Sequence, residues 1–427
     1  MKKYFVILLV MIIGASVLMA EAEPGVTYPG SSDNPFSATS VRELGMGGSG
    51  IAAASRIDSF FKNPAALAEK RFGMTIPSLS VTLYNLKALL SNPDDVKIIT
   101  DAIKNKFNIP NSDLIKLAQD MIENLGSGKN ELLTTDVNLG FAFGNFGLGV
   151  QVQEKIHSLA DGAANIANIN LIPEINVGAS LSLGFRVIDT EVLNLDIGAT
   201  GQFVYKAYSK AINGSAAISL LQSTQMAEDL KNTLLWGTPV MAGWAVPVHV
   251  GVTLGFFNNS LRVSAVASDI NSIYYMKSYT SAGDVSNGLK AGLLTAPDGH
   301  VANDSTEFKI ENAMGLTLGM AWVPEIPVLN PVLSADIVDM MNLMTGKEKF
   351  EWKNLILHLN AGAEINLLKF ISLRAGVNRG YVGLGAGLVL PGVGIEASYA
   401  WQEFGLEIGD KPVDSFTVRV HLGYDKI

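Results

Sequence analysis

From Gly45 to Gly50 the chain reads Gly-Met-Gly-Gly-Ser-Gly, which satisfies the G-x-G-x-x-G spacing of a dinucleotide cradle, with Glu69 about 20 residues on, where such a site holds its ribose acid. That chemistry requires a strand running into the glycines and a helix whose N-terminal N–H groups meet a pyrophosphate. No strand pattern precedes this stretch. Small apolar residues follow it, then Phe60-Phe61-Lys62-Asn63-Pro64-Ala65-Ala66-Leu67. The composition fits a tightly folded plug instead: glycine lets backbone approach backbone, and Pro64 fixes the turn that hands the chain on.

Other chemistries find less support. His157, His249, His300, His358 and His421 are scattered without ligand spacing, so no metal site is expected. The absence of cysteine removes disulfides, thiolate ligands and thiol nucleophiles together. Ser49 lacks the G-x-S-x-G elbow. A barrel-borne hydrolase using His358 or His421 beside a serine is a weak alternative, so neither enzymatic activity nor a cofactor is expected. The better candidates are cations on polar faces. Arg262 lies with Ser264, Arg374 with Ser372 and Asn378, and Arg419 with Thr417 and His421. Each suits a carboxylate head group, or an internal pair with Glu364 or Glu396.

These faces belong to strands. About fourteen segments from Phe72 onward carry apolar residues at every second position, the strand period. Between Val192 and Tyr208, Leu193, Leu195, Ile197, Ala199, Phe203 and Tyr205 share one face, while Asn194, Asp196, Thr200, Gln202 and Lys206 share the other. The same pattern predicts strands over Ser260 to Ile270 and Asn354 to Asn366. Gly383, Gly385 and Gly387 line one side of a further strand, a wall with room for something packed against it. Connections alternate. Gly144-Asn145, Asn258-Asn259 and Pro391-Gly392 are short, whereas Lys87 to Glu131, Ser209 to Trp244 and Asn271 to Phe308 are long. Arg379-Gly380 breaks this rhythm and leaves one strand pairing open.

Short turns at one end and long loops at the other are the signature of an outer-membrane barrel. A sheet in hydrocarbon must close so that every backbone N–H and C=O is paired. Composition agrees: 48% of residues are hydrophobic and 17% charged, against about 25% charged in ordinary soluble domains. The one long uncharged run downstream, Trp236 to Phe257, contains Pro239 and Pro247 and alternates with period two, so it is not a helical span. A net charge of −9 excludes the basic footprint of a nucleic-acid binder. Residues 1–22 read as a cleaved secretory signal, with Lys2 and Lys3 before an apolar core and Ala20-Glu21-Ala22 at its end.

The long loops carry their own helices. Pro93 starts one with Val96, Ile99, Ile103 and Phe107 on a stripe, and Ser112 opens another with Leu114, Ala118, Met121 and Leu125. A third is expected over Ser219 to Trp236. Such helices either cap the barrel or form an apolar landing site for an amphipathic ligand.

Arg42 to Gly50 followed by Asn63-Pro64-Ala65-Ala66-Leu67, set between a signal peptide and a first strand, resembles the hatch region of the FadL/TodX long-chain fatty-acid transporters. The run from Leu373-Arg374-Ala375-Gly376 through Ile395 to Trp401 and Asp410-Lys411-Pro412 is similar to FadL-related barrels. The resemblance implies an all-β fold: a transmembrane antiparallel β-barrel of about 14 strands over 72–427, an N-terminal plug over 23–71 and small helices in extracellular loops. It implies passive, plug-gated passage of hydrophobic small molecules across the bacterial outer membrane, among outer-membrane lipid. Gly45, Gly47, Gly48, Gly50, Phe60, Phe61, Asn63, Pro64 and Ala65 would form the gate. The alternatives are a general porin, or a structural barrel scaffold that anchors or carries surface or secreted proteins; a protein partner at the extracellular loops is a further expectation.

Overall fold

In the computed structural model, the described residues are 36, 40–54, 61–69, 72–104, 110–123, 128–160, 169–209, 212–215, 236–289, 300–302, 306–346, 351–403, 409 and 412–425. The signal-peptide region, Phe60 and the helix expected within Ser219 to Trp236 fall outside them, apart from Trp236 itself.

Fourteen antiparallel strands form one closed sheet. They are β1 (Gly73–Tyr84), β2 (Gly128–Phe143), β3 (Phe146–Ala160), β4 (Ile169–Asp189), β5 (Leu193–Ser209), β6 (Val240–Ala245 continued by Val248–Phe256), β7 (Leu261–Ile270 continued by Ile273–Tyr279), β8 (Glu307–Glu311 continued by Gly315–Trp322), β9 (Pro331–Ile337), β10 (Leu359–Leu367), β11 (Ile371–Asn378), β12 (Tyr381–Leu390), β13 (Gly392–Glu403) and β14 (Pro412–Asp425). Closure comes from β1, which pairs with β2 on one side and β14 on the other, for example Val81 with Thr135 and with Val418. No sheet edge is left to satisfy.

Period two separates the faces as the sequence predicts. Outward side chains such as Leu181, Leu183, Ile197, Phe203, Leu373 and Leu384 are exposed. Their inward neighbours Ser182, Thr200, Gln202, Ser372 and Arg374 are buried. An apolar exterior around a polar interior is the inverse of a soluble domain and the arrangement a barrel shows to hydrocarbon. Among the described residues no helix is long and apolar enough to cross a membrane.

Three expectations change. Arg379-Gly380 is a true two-residue turn: Asn378 pairs with Tyr381, and φ is +49° and +89° at the turn residues, as a tight hairpin requires. The strand expected to begin at Asn354 begins at Leu359, and Trp352–His358 is helical. The neighbouring strands stop level with residues 359 and 360, where Ile337 pairs with Leu359 and Asn378 with Asn360. Above that height an extended backbone would have no partner, and a helix pairs its own groups. Conversely, Ile273–Tyr279, expected in a loop, is a strand paired to β6 and β8. Strands β6, β7 and β8 are each interrupted at one height, near Val246-Pro247, Asn271-Ser272 and Asn312 to Met314. Pro247 has no N–H to give the ladder.

Among its described residues the loop between β1 and β2 holds three helices, α2 (Leu86–Ser91), α3 (Pro93–Lys104) and α4 (Asn111–Glu123), two of them as the sequence predicts. α5 (Ala282–Gly288) follows β7, and α6 (Met340–Met344) and α7 (Trp352–His358) lie between β9 and β10.

Candidate functional site

Residues 40–54 and 61–69 pack on the inner face of the barrel. The first turn begins with the capping signature Ser-x-x-Glu: Ser40 Oγ accepts the Glu43 N–H, opening α1 (Val41–Gly45). The helix stops in a Schellman motif, Gly48 N–H donating to Glu43 O at 2.7 Å and Gly47 N–H to Leu44 O at 3.2 Å. The motif places Gly47 in the left-handed region, φ +66°, which is why the first glycines belong here. Gly48 (+79°) and Gly50 (+147°) continue the reversal. The chain then docks on β9: Gly50 and Ile51 N–H donate to Asp336 Oδ2 at 2.6 and 3.1 Å, and Ser49 Oγ lies 2.7 Å from Ser334 Oγ. Backbone donors do meet an anion at this glycine run, but the anion is the barrel's own carboxylate.

The second half turns on Asn63-Pro64. Asn63 Oδ1 accepts the Ala65 N–H at 3.0 Å, and Pro64 starts a 3-10 helix (Pro64–Glu69) at the position where a missing N–H costs nothing. The Asn63 amide donates to Ile51 O at 2.9 Å within the plug and to Thr253 Oγ1 of β6 at 3.0 Å. Phe61 packs beside the buried Leu67 and Ala142 of β2.

Glycines make both dockings close. The Met46-Gly47 backbone lies so near Gly376 of β11 that a methyl there would overlap it, and Gly362, Gly383 and Gly385 complete this seat. Gly45 itself sits with its would-be Cβ 3.0 Å from Gly385 Cα. On the opposite wall Gly198 of β5 meets the Pro64 carbonyl and Ala65 nitrogen in the same way, beside Gly184 and Gly251. Gly383 and Gly385 thus are the wall with room that the sequence suggests. Gly387 instead faces Glu396.

All three singled-out arginines have protein partners. Arg374 bridges Glu364 and Glu396, the latter at 2.8 Å, with side chains almost wholly buried. Arg419 donates to Ser78 Oγ at 2.8 Å and lies 3.4 Å from Glu396. Arg262 pairs with Glu69 of the plug at 3.0 Å. A fourth cation, Arg42 of the plug, sets Nε 3.1 Å from both Glu364 oxygens and donates from Nη1 to Ala53 O at 2.9 Å. The internal pairing alternative therefore describes these residues, and the series Arg42-Glu364-Arg374-Glu396-Arg419 ties plug to wall.

Higher in the barrel the inner face becomes apolar. Phe36 sits among Ile172, Val204, Tyr208, Ala245, Tyr274, Met276 and Ile310. All are buried, and they line β4 to β8 on the long-loop side of the strand interruptions. Beside them Lys206 Nζ lies 3.2 Å from Glu174 and 5.2 Å from the Tyr274 ring centroid. This cluster was not singled out from sequence. Its signal is the inner face of β5, which runs Asn194, Asp196, Thr200, Gln202 and then Val204 and Tyr208. Among the described residues no group of three or more acids and histidines is placed to hold a metal.

No protein-family model and no curated protein matches the chain. Solved structures do resemble it. The Pseudomonas putida toluene transporter TodX is similar at 11% identity and TM-score 0.43 over 92% of this chain and 98% of that one. A FadL homologue of Pseudomonas aeruginosa is similar at 12% identity and TM-score 0.43, covering 91% and 98%. The fold itself rests on the strand register.

Proposed function

We propose that this is an outer-membrane channel for hydrophobic small molecules, long-chain fatty acids among them, gated by its N-terminal plug. The observation that carries the reading is the apolar cluster around Phe36, set above a stretch of inner wall that carries buried polar residues such as Ser182, Thr200, Gln202, Ser372 and Arg374. An aqueous porin gains nothing from burying Tyr274, Met276 and Ile310 in its lumen. A hydrophobic solute gains about 25 cal/mol for each Å² of apolar surface it buries there. On this reading the solute enters among these side chains at the long-loop end, and movement of Gly45 to Ala65 off its glycine seats opens the way below. No covalent step is involved.

The test is uptake of labelled oleate by cells that lack or carry the protein. Uptake is expected to depend on it, and the paired substitutions Tyr274→Asp and Met276→Asp are expected to reduce uptake at least tenfold while heat-modifiable gel migration still reports a folded barrel. Equal uptake with and without the protein, for oleate and for a panel of monoaromatic solutes, would sink the reading.

A further inference from the structure

The wall is not equally tall all round. A barrel strand climbs about 2.6 Å per residue along the axis, given a rise of about 3.4 Å and a tilt of about 40°. The 21 residues of β4 therefore climb about 55 Å, whereas the 8 of β11 climb about 20 Å and the 10 of β12 about 25 Å. The apolar band of such barrels is itself about 25 Å tall. On β4 the exposed apolar series ends at Ile175, and Ile169–Glu174 continues above it. On β11 and β12 exposed Val377 and Val382 flank the turn directly. The Arg379-Gly380 turn is therefore flush with the top of the band.

The neighbouring loop fits that level. Its base is closed by the Val338 N–H to His358 O bond at 2.9 Å, and it is tied to the turn by Arg379 and Asp339 at 3.1 Å. It carries exposed apolar side chains, Met344 at 66% and Trp352 at 73%. Tryptophan at this height is the residue type that settles at a membrane interface. The base of the loop adjoins the lipid-facing band at Val377 and Val382, so the occupant argued for is the same lipid.

We infer that this low rim, β9 to β12 with the loop segments 338–346 and 351–358, is a docking surface for outer-leaflet lipid, with Met344 and Trp352 inserted into the leaflet. The inference rests on the outer-membrane reading above. Its consequence is that solute dissolved in the leaflet meets the barrel at the height of the plug, whose Gly47, just past α1, lies behind Val377.

The chain has no cysteine, so single labels are unambiguous. Met344→Cys, Trp352→Cys and, on the tall wall, Asn170→Cys are labelled with an environment-sensitive fluorophore. Each is reconstituted in phosphatidylcholine vesicles carrying a spin label high on the acyl chain. The labels at 344 and 352 are expected to be quenched at least twofold by the lipid and to be shielded from aqueous iodide. The label at 170 is expected to show the reverse. Iodide quenching at 344 and 352 as strong as at 170 overturns the proposal. This measurement needs no transport, so quenching by lipid together with absent oleate uptake would retire the channel reading and leave the rim contact standing.

Discussion

On β10 to β12 the plug helix ends against Gly362, Gly376 and Gly383, and beside this seat Arg42 grips Glu364, a carboxylate already shared with Arg374. On β4 to β6 the Asn63-Pro64 turn lies on Gly184, Gly198 and Gly251, held by one hydrogen bond from the Asn63 amide to Thr253 Oγ1 and by Glu69 with Arg262. Both seats use missing side chains to let backbone touch backbone. They differ in charge. Glu364 is almost wholly buried, while Arg262 and Glu69 each keep nearly a fifth of their side-chain surface in solvent. A buried shared carboxylate couples the plug to β10 and β11 at once, whereas a partly exposed pair is screened and contributes up to about 1 kcal/mol. The first seat is therefore the anchor, and the second is held mainly by shape.

The largest break in that comparison is Glu364→Ala. It leaves Arg42 and Arg374 facing each other without their shared anion, and breaking a buried pair costs about 3–5 kcal/mol. Hydrogen exchange of the amides of residues 40–54 reads the local opening directly. It is expected to accelerate at least about 100-fold, with amides 63–69 accelerating less. Equal acceleration of both halves would show that the seats release together. Next comes Gly198→Ala at the second seat. The added methyl overlaps the Pro64 backbone, and overpacking of this kind costs about 1–3 kcal/mol. Exchange is expected to rise at 63–69 first. The same substitution at Gly387, where the nearest atoms belong to the side chains of Glu396 at 3.2 Å and Arg374 at 3.6 Å and none to the plug, is expected to move neither half.

How much of this is legible in the sequence depends on range. Period two fixes the faces of β4, β5, β11 and β12, because each residue's side follows from its neighbour's. The same alternation yields about fourteen strands, and the loop rhythm sorts their ends except at Arg379-Gly380, so closure itself is seen only where β1 pairs with both β2 and β14. The capping box at Ser40 and the Asn63-Pro64 turn are likewise local signals. Arg42 and Glu364 stand 322 positions apart, and nothing in either segment names the other. The height at which a strand loses its neighbours is equally nonlocal. Alternation in Leu355 to His358 reads as strand, yet neighbours on both sides have ended there. Ile273–Tyr279 reads as loop, yet β6 and β8 extend alongside it. The glycine run misleads in a useful way: its backbone donors serve an anion as the dinucleotide pattern suggests, and the anion is Asp336.

Two smaller changes sharpen the contrast. Asn63→Ala removes the cap of the Pro64–Glu69 helix and the bridge to Thr253 together. A lost cap costs about 1 kcal/mol, so exchange at 63–69 is expected to rise several-fold while 40–54 stays protected. An unchanged rate there would mean the glycine contact alone holds the second seat.

Arg42→Lys separates charge from geometry at the anchor. The guanidinium spans two acceptors, with Nε toward the Glu364 carboxylate and Nη1 on the Ala53 carbonyl. An ammonium is a compact point charge that keeps the attraction to Glu364 and gives up the fork. Glu364 still has Arg374, so the loss is that of one hydrogen bond, about 1 kcal/mol. Exchange at 40–54 is expected to rise about fivefold, far less than for Glu364→Ala. A rise as large as that of Glu364→Ala would mean that the Ala53 carbonyl contact, and not the shared carboxylate, sets the strength of the anchor.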